Sequence, residues 1–404
     1  MTTFDTGLDL SSPDFKRNAY AIYNRLRRED PVFETILPDG RKAWMCTRYD
    51  DVLAALKDNE RFTKNLQSLS PEEYDSVLPR KEMELLSNHM LSADPPDHTR
   101  LRAIVSRAFT PQLVDHMEPD IRRIADGLID RIAEKGSMEA IADFAFPLPI
   151  LVIGQMLGIP EEDHMLLKKW SSDFIAAAND RNKMKEAAPS FQAFGQYIQA
   201  MIAERRKSPR SDLTSLLIDA HDSGDRLSAA ELSSTIWLLI LAGHETTVNL
   251  IGNGIFALLE NPDQMRLWQN DPSLTITAVE ELLRYYSPVE IATARWAGRD
   301  FDWYGKNVNR GDVIFVNLAS ANRDPEHFGH PDRLDLSRKK NKHVAFGSGI
   351  HFCLGAPLAR LEAQIALSAL LQRLPNIRLE GTFDEIRWRP GILMRGLERL
   401  PVAF

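Results

Sequence analysis

The sequence predicts a mainly α-helical protein with a few small β-sheets, folded as one large domain over residues 1–404. Apolar residues at three- and four-residue spacing run through most of the N-terminal half, which is the pattern of amphipathic helices. Short β-prone runs are few and scattered along the chain. No internal repeat, Gly/Ser-rich linker or shift in composition marks a boundary. These observations favour a single helical domain over separable modules.

Each predicted element follows from its local pattern of apolar residues. Helices are expected at residues 17–28, 50–57, 97–109, 111–133, 144–157, 227–260 and 356–374. Strands are expected at residues 43–47, 291–296 and 313–318, the last after the turn Asn309-Arg310-Gly311-Asp312. Residues 322–346 are rich in Asn, Asp, Pro, His and Lys. Because long irregular segments in compact domains are usually functional or tightly wrapped, we expect this segment to lie against the core.

Composition and charge exclude several classes of protein. Hydrophobic residues make up 44% of the 404, which is enough for an ordinary globular core. The net charge is −8 without a long basic run, so nucleic acid is not an expected ligand. The N-terminus lacks a signal-peptide pattern and no apolar stretch reaches the ~18 residues of a membrane span, so we expect a cytoplasmic protein without a membrane segment. Two cysteines, Cys46 and Cys353, are too few for a disulfide framework or a cysteine-based zinc site.

The most informative segment is Phe346-Gly-Ser-Gly-Ile-His-Phe-Cys-Leu-Gly355, which directly precedes the last predicted helix. Cys353 stands at the start of that helix, where backbone N–H groups and the helix dipole favour a thiolate over a thiol. Gly349 and Gly355 would let the chain turn closely around the sulfur. Taken alone, Cys353 is either a metal ligand or a buried structural cysteine.

This segment resembles the haem-binding loop of the cytochrome P-450 haem-thiolate monooxygenases, Phe-x-x-Gly-x-His/Arg-x-Cys-x-Gly, at every fixed position. The resemblance implies that Cys353 is the axial ligand of the iron of haem b and that His351 lies beside a haem propionate. A thiolate ligand pushes electron density onto the iron and favours O–O cleavage. The resemblance also implies the family's fold, a triangular prism with the haem between a long distal helix and a proximal helix. Phe346, Gly349 and Gly355 are then parts of the cofactor loop.

A second segment, Leu241-Ala-Gly-His-Glu-Thr-Thr247, interrupts the apolar face of the helix predicted at 227–260. A zinc-protease motif would need a second His four residues after His244, and that position is Val248. The plain interpretation of Glu245 and Thr246 is an exposed helix face.

The same segment also resembles the family's distal motif, Ala/Gly-Gly-x-Glu/Asp-Thr. In that motif a Thr hydroxyl bonds the carbonyl four residues back, here that of Ala242, and opens the helix into a groove for dioxygen. Splitting dioxygen consumes two protons, which an acid and an alcohol can relay into an apolar pocket. The resemblance assigns those roles to Glu245 and Thr246.

Glu281 and Arg284 lie three residues apart on one predicted helix face. Exposed pairs of this kind are common and contribute under about 1 kcal/mol, so the pair alone indicates little. The family pattern adds an arginine from the irregular segment, here Arg333 in Pro331-Asp-Arg333. The resemblance then implies a buried, non-catalytic network of Glu281, Arg284 and Arg333.

His98 and Arg102 lie four residues apart on a predicted helix that follows Asp94-Pro-Pro-Asp97. Without other information this helix is equally well explained as an amphipathic surface helix. The family's His-x-x-x-Arg contacts the haem propionates, and Arg295 resembles a further propionate ligand. With His351, the resemblance implies four cationic partners for two carboxylates.

The positions that line the substrate pocket in similar enzymes carry no charge here, although each could equally be ordinary core. They predict a bulky, mostly apolar substrate that is held by burial, with broad acceptance and modest regioselectivity. Glu290 is the one nearby acid that would contradict this by pointing inward. The pocket residues are Met90, Leu91, Leu238, Ala242, Val289, Ile291, Ala292 and Leu393.

The resemblance covers essentially the whole chain and is greatest to the soluble bacterial branch that hydroxylates macrolides, fatty acids and other secondary metabolites. It implies a monooxygenase that uses O₂ and two electrons from an external ferredoxin and ferredoxin reductase, because no flavin domain fits in 404 residues. We expect a monomer whose partner docks near Cys353 on Arg100, Arg107, Lys342 and Arg360. Two alternatives stay open, an H₂O₂-driven peroxygenase and a non-catalytic haem or ligand-binding protein.

Overall fold

Helices dominate the computed structural model, which describes residues 10, 12–37, 40–65, 80–177, 180–222 and 227–404. The described helices are α1 (Pro13–Glu29), α2 (Tyr49–Lys57), α3 (Arg80–Ser87), α4 (Asp97–Ala108), α5 (Pro111–Ala133), α6 (Pro147–Leu157), α7 (His164–Ala177), α8 (Arg181–Glu186), α9 (Ala188–Lys207), α10 (Leu213–Asp222), α11 (Ala229–Glu260), α12 (Pro262–Asn270), α13 (Thr275–Tyr285), α14 (Leu318–Ala321) and α15 (Ala356–Arg373). Short turns of other helix types lie at Met90–Ser92, Ile141–Ala145, Glu161–Asp163, Pro272–Leu274, Gly349–His351 and Phe383–Glu385.

Three small sheets complete the described fold, as the sequence predicts. The strands are β1 (Val32–Ile36), β2 (Lys42–Cys46), β3 (Phe62–Thr63), β4 (Ser137–Glu139), β5 (Arg295–Ala297), β6 (Phe301–Trp303), β7 (Lys306–Val308), β8 (Val313–Val316), β9 (Arg378–Leu379) and β10 (Pro401–Ala403). The five-stranded sheet has the order β1-β2-β8-β5-β3, in which β2 and β8 are parallel and the other pairs antiparallel. The other two sheets have the orders β4-β10-β9 and β6-β7.

The boundaries of the elements follow local chemistry that the apolar pattern does not contain. Helix α1 begins earlier than predicted because the Ser12 hydroxyl accepts the N–H of Phe15 at 3.1 Å and Pro13 suits the first helical position. The predicted strand 291–296 is wrong in its first part. There the N–H of Ile291 bonds the carbonyl of Leu393 at 3.2 Å and its pairing with Asn317 is an isolated bridge, so the strand itself is confined to residues 295–297.

The long helix α11, which we call the distal helix, is buried on nearly every side. Glycines let its neighbours approach closely. A Cβ on Gly254 would lie 3.1 Å from Leu367 of α15, the proximal helix, and a Cβ on Gly243 would lie 2.7 Å from Ile153 of α6. The distal helix therefore packs tightly between α6 and the proximal helix, and its position is fixed on both sides.

Residues 322–348 form the meander, a segment without helix or strand that wraps onto the core as predicted. Asn322 anchors it, because its side chain accepts the N–H of Val344 at 2.7 Å and donates to the Ser287 hydroxyl at 2.8 Å. Arg284 adds hydrogen bonds to the carbonyls of Asn322 at 2.9 Å and Pro331 at 2.7 Å. The meander is thus held by Asn322 within it and by Arg284, which extends from helix α13.

The predicted ion pair between Glu281 and Arg284 is present, fully buried, with both oxygen–nitrogen contacts at 2.8 Å. The prediction that Arg333 completes this network is wrong. Its side chain is exposed, and only its carbonyl accepts a hydrogen bond from Arg284, at 3.1 Å. Arg338 supplies the third guanidinium instead, with Nε 3.0 Å from Glu281. A turn closed by the Arg338 N–H on Asp335 brings this side chain inward.

We predict that Arg338→Ala lowers the free energy of unfolding by about 1–3 kcal/mol, because it removes a charge-assisted bond from a buried carboxylate. Arg333→Ala is the matched control and changes it by less than about 0.5 kcal/mol, since surface substitutions are usually mild. Urea unfolding followed by circular dichroism measures both. An equal decrease in the free energy of unfolding in the two variants would show that Arg333 contributes to the network as much as Arg338.

Candidate active site

The loop that carries Cys353 runs from the turn Gly349–His351 to the start of the proximal helix at Ala356. The N–H of Cys353 donates to the carbonyl of Phe346 at 3.0 Å and closes the loop. Gly349 has a φ of +71°, and a Cβ there would lie 2.7 Å from the carbonyl oxygen of Leu56. Only glycine suits that position, because both the backbone and the close approach exclude a side chain.

Gly355 differs from the expectation that it lets the chain turn closely around the sulfur. Its φ is −78°, and a Cβ would lie 4.0 Å from the sulfur of Cys353, an ordinary van der Waals contact. The polypeptide alone therefore does not require glycine at this position. The tight turn of the loop is made at Gly349 and at Gly347, whose φ is +72°.

Some features around Cys353 raise the pKa of its thiol and others lower it. Burial raises the pKa of the thiol, while the N–H groups of Gly355 and Ala356 and the charges of Arg102 and Arg360 lower it. Cys353 itself is only partly buried. A sulfur with N–H groups and guanidinium charges on one side and an accessible face is well suited to bind a cation.

Three of the four predicted propionate partners, His98, Arg102 and His351, lie together at this loop. The rings of His98 and His351 are in edge-to-face contact with centroids 4.5 Å apart. Neither ring nitrogen of His98, nor Nε2 of His351, has a hydrogen-bond partner among the described residues, although all three atoms are buried. Arg102 reaches the carbonyl of Phe352 at 2.7 Å.

The fourth predicted partner, Arg295, has Lys64 beside it, a cation that sequence reasoning missed. Arg295 is 2% exposed and Lys64 5%. Burial lowers the pKa of Lys64 well below its usual value, and the charge of Arg295 lowers it further. Lys64 and Arg295 are both close enough to His351 to act on the pKa of its ring. Lys64 donates to Thr293 Oγ1 at 2.7 Å and to the carbonyl of Ala294 at 2.8 Å.

This cluster of cations and unpaired imidazole nitrogens fits a dianionic ligand. Asp94 supplies one negative charge that acts on both Lys64 and Arg295, but one carboxylate does not balance two buried cations, so further negative charge would stabilise them. The two carboxylates of haem b would supply that charge, with the Cys353 sulfur available for the iron. The residues present therefore fit the cofactor that the sequence predicts.

On the distal helix, the predicted hydrogen bond from the Thr246 hydroxyl to the carbonyl of Ala242 is present at 2.9 Å. Ala242 is exposed and Thr246 only partly buried, although the rest of this stretch of helix is enclosed. Accessible side chains in the middle of a buried helix show that an open groove runs along this face.

Glu245 points elsewhere and has a partner that sequence reasoning missed. Its carboxylate is 3% exposed and accepts a hydrogen bond from Arg389, whose guanidinium also donates to Asn249 at 2.7 Å. The N–H of Arg389 bonds the carbonyl of Gly396 at 2.8 Å, which fixes Arg389 within the C-terminal segment. Glu245 is thus held by an arginine 144 residues away, and no local spacing signals such a contact.

Most of the predicted pocket residues are distributed over three clusters of the core, and their role in substrate binding stays a prediction. Met90 and Leu238 belong to the largest core cluster, with Leu91 packed against it. Ile291 instead packs in a separate cluster with Phe15 and Phe315, so its assignment to the pocket is wrong. The C-terminal segment crosses this stretch of chain where the N–H of Ile291 bonds the carbonyl of Leu393, and the side chain of Ile291 lies in that separate cluster. Val289, Ala292 and Leu393 remain beside that crossing.

Glu290 does not contradict an apolar pocket. It is fully buried, forms an ion pair with Lys16, accepts the Tyr23 hydroxyl at 2.8 Å and lies 3.6 Å from Arg395. These partners hold its carboxylate against helix α1.

Of the four cations expected to form a docking patch, Arg100 and Arg360 are paired with carboxylates, and the patch stays a prediction. Arg100 pairs with Asp97 at 3.1 Å and with Glu231 at the start of the distal helix, so its charge is partly balanced. Arg360 is held by Glu280 through contacts of 2.6 and 2.9 Å. Arg107 and Lys342 are exposed.

The chain matches the cytochrome P-450 family over residues 13–375 and belongs to it. It is therefore a haem-thiolate monooxygenase that binds haem b. It is similar to the vitamin D(3) 25-hydroxylase of Pseudonocardia autotrophica, with 42% identity over 98% of this chain and 96% of that one. It is also similar to the cytochrome P-450 monooxygenase PikC of Streptomyces venezuelae, with 41% identity over 98% and 94%.

The fold agrees with solved structures of the same family. A myxobacterial cytochrome P-450 in complex with myristic acid superposes with a TM-score of 0.93 at 44% identity, covering 98% of each chain. The predicted fold class is thereby confirmed. In the part of the chain that the structure describes, no helix is long and apolar enough to cross a membrane.

We predict that Lys64→Met accelerates loss of haem about tenfold, because one partly buried charge-assisted contact to a carboxylate is removed. Transfer of haem to apomyoglobin measures the rate independently of activity. Lys207→Met, an exposed lysine at the end of α9, is the control and leaves the rate unchanged. Equal rates in all three proteins would mean that Lys64 does not contact the cofactor.

Proposed function

We propose that residues 1–404 form one cytoplasmic, monomeric catalytic domain that hydroxylates a bulky, mostly apolar small molecule of the macrolide, fatty-acid, terpenoid or steroid type. The observation that carries this proposal is the open groove at Ala242 and Thr246 in an otherwise buried helix. The name of one relative, a vitamin D(3) 25-hydroxylase, and the myristic acid bound to a solved structure of the family support substrates of this kind.

We assign Cys353 as the iron ligand, and Lys64, His98, Arg102, Arg295 and His351 as the residues that hold the two carboxylates of haem b. When bound, the haem supplies the activation of dioxygen. Phe346 supports the loop, because the guanidinium of Arg360 lies 4.5 Å above its ring. The loop would orient the sulfur towards the iron, while the cations would hold the two carboxylates.

We assign the proton relay to Thr246 and Glu245. The Thr246 hydroxyl lies on the accessible face of the distal helix and can pass a proton into the groove. Glu245 directly precedes Thr246, and its carboxylate is held by Arg389, so it must leave that contact before it can accept a proton and pass it on. This pair favours O₂ over H₂O₂ as the oxidant, because a peroxygenase does not require two protons to split dioxygen.

We assign substrate binding to apolar residues, namely Met90, Leu91, Leu238, Val289, Ala292 and Leu393. Burial of apolar surface contributes roughly 25 cal/mol per Å² and does not depend on the direction of contact. We therefore expect broad acceptance of apolar compounds. Binding is tested by the change in the haem spectrum when a compound displaces the distal water.

We predict that Thr246→Ala retains haem and substrate binding but releases several-fold more peroxide per NAD(P)H consumed, because the relay is cut while the pocket survives. Thr246→Ser keeps the hydroxyl and serves as the control, with product yield close to that of the wild type. The measurement is product formed per NAD(P)H oxidised. An unchanged yield in Thr246→Ala would exclude the relay, and product without any NAD(P)H would favour the peroxygenase. Absence of turnover for every compound would favour a non-catalytic haem protein.

We propose that an acidic ferredoxin, supplied by its own reductase, docks on the face around Cys353. Phe352 is 41% exposed next to the cysteine, and Lys57 adjoins Gly349 in the same loop region. Lys57, Arg107 and Lys342 are exposed. An apolar centre with cations around it suits an acidic partner.

We predict that reduction by an acidic ferredoxin slows as salt rises, because steering is screened beyond about 8–10 Å. Lys57→Glu and Lys342→Glu should slow it at low salt by several-fold each, whereas Lys207→Glu on α9 should not. Stopped-flow reduction under carbon monoxide measures the rate. A rate independent of salt, or equal effects of all three substitutions, would place the docking face elsewhere.

A further inference from the structure

A hairpin near the C-terminus carries the arginine that holds the relay acid. The N–H of Arg389 bonds the carbonyl of Gly396 at 2.8 Å. The N–H of Glu398 bonds the carbonyl of Arg387 at 2.9 Å. We call these paired strands the base of the hairpin and residues 390–395, which connect them, its tip. Arg389 thus lies where the base meets the tip.

The base of the hairpin packs closely against the distal helix. A Cβ on Gly396 would lie 2.1 Å from Oδ1 of Asn249 and 2.9 Å from the guanidinium of Arg389. The guanidinium donates to the same Asn249 oxygen at 2.7 Å and to the carboxylate of Glu245. Because the guanidinium lies between the hairpin backbone and the distal helix, a shift of this backbone carries it away from Glu245.

The tip of the hairpin lies against the segment that carries two predicted pocket residues, Val289 and Ala292. The carbonyl of Leu393 accepts the N–H of Glu290 at 2.8 Å, and Met394 pairs with Val289 in an isolated bridge. Leu393 is half-buried and belongs to none of the three core clusters of the described residues. One side of Leu393 is therefore open to contact with a bound molecule.

The contact between Arg389 and Glu245 is closed in this structure and costly to open. Glu245 is 3% exposed, so withdrawing Arg389 leaves an almost buried carboxylate without its countercharge. The closed state therefore dominates unless another interaction favours the open one. A bound molecule shifts this balance only if it interacts better with the open state than with the closed state. The side chain of Arg389 is 33% exposed, so solvent reaches the contact.

We propose that Arg389 is a positioning residue that couples the relay to the length of the bound substrate. A substrate long enough to reach Leu393 displaces the hairpin tip, and this movement withdraws Arg389 from Glu245. The freed carboxylate accepts a proton from solvent and passes it to Thr246. A substrate too short to reach the tip leaves the contact closed.

This inference rests on the proposed hydroxylase function and adds a rule for its substrates. Only molecules that fill the pocket as far as the hairpin tip are oxidised efficiently. Shorter molecules bind and accept electrons from the redox partner, but slow proton delivery diverts those electrons to peroxide. The yield of product per NAD(P)H consumed therefore reports on the contact between Arg389 and Glu245.

Octanoic acid and tetradecanoic acid are matched probes, because they differ only in chain length. At saturating concentrations, the wild type should give several-fold more product per NAD(P)H with the longer acid. Arg389→Met removes the charge and should raise the yield with the shorter acid towards that with the longer one. Leu393→Ala shortens the tip and should lower the yield with the longer acid towards that with the shorter one.

Three further variants separate coupling from a general disturbance of the fold. The variant that carries both substitutions should behave like Arg389→Met alone, because the tip acts through that arginine. Arg389→Lys keeps the charge and should retain the difference between the two acids. Arg387→Met is the control, since Arg387 is an exposed arginine of the same hairpin that bonds the carbonyl of Asp384 at 2.8 Å. It should leave both yields unchanged.

Crystal structures of the haem-loaded wild type with each acid give a readout that needs neither turnover nor a variant. The contact between Arg389 and Glu245 is expected to be open with tetradecanoic acid and closed with octanoic acid. A contact that is closed with both acids would overturn the proposal.

The yields provide independent ways to overturn it. Equal yields of the wild type with both acids would remove the coupling, as would a lower yield in both Arg389→Met and Leu393→Ala, which would indicate a structural role alone. These results would leave the proposed function intact provided that Thr246→Ala still releases peroxide. An unchanged yield in Thr246→Ala would instead show that the relay itself is wrong. If neither acid changes the haem spectrum, the apolar pocket is wrong and the coupling fails with it.

Discussion

The structure is organised around the need to keep a sulfur anion at an enclosed point of the chain. Burial opposes ionisation of Cys353, and the opposing interactions come from the N–H groups of Gly355 and Ala356 and from Arg102 and Arg360. These groups lie on two helices that are far apart in sequence. The loop keeps its shape because its glycine turn lies directly against helix α2. The proximal helix and the meander therefore serve to fix one atom and its immediate surroundings.

Around that sulfur, the chain concentrates cations that its own carboxylates balance only in part. Lys64 and Arg295 are buried near imidazole nitrogens without partners, and the single carboxylate of Asp94 acts on both cations, so a bound anion would stabilise this arrangement. On the distal side the charge is already balanced, because Arg389 is the counterion of Glu245. The cofactor side is thus incomplete without its ligand, while the relay acid is held closed by the protein itself. This asymmetry is consistent with a cofactor that stays bound and a proton path that opens during each reaction cycle.

The sequence predicted the helices and the local motifs because both depend on spacing within one segment. Thr246 and Ala242, or Glu281 and Arg284, are neighbours by helix geometry alone. Lys64, Arg338 and Arg389 were missed because each acts on a segment remote in the chain, and the assignments of Arg333 and Ile291 failed for the same reason. In an irregular segment, turns and contacts with distant parts of the chain decide whether a side chain points inward. The spacing of apolar residues carries no information about them.

The central claim is that the Cys353 thiolate ligates the haem iron, and the spectrum of the reduced carbon monoxide complex tests it most directly. The wild type and Cys46→Ala, which alters the other cysteine, are predicted to show the strongly red-shifted Soret band of thiolate ligation. Cys353→His is predicted to lose that band and to show the band of an imidazole-ligated haem. Persistence of the red-shifted band in Cys353→His would contradict the assignment and the account built on it.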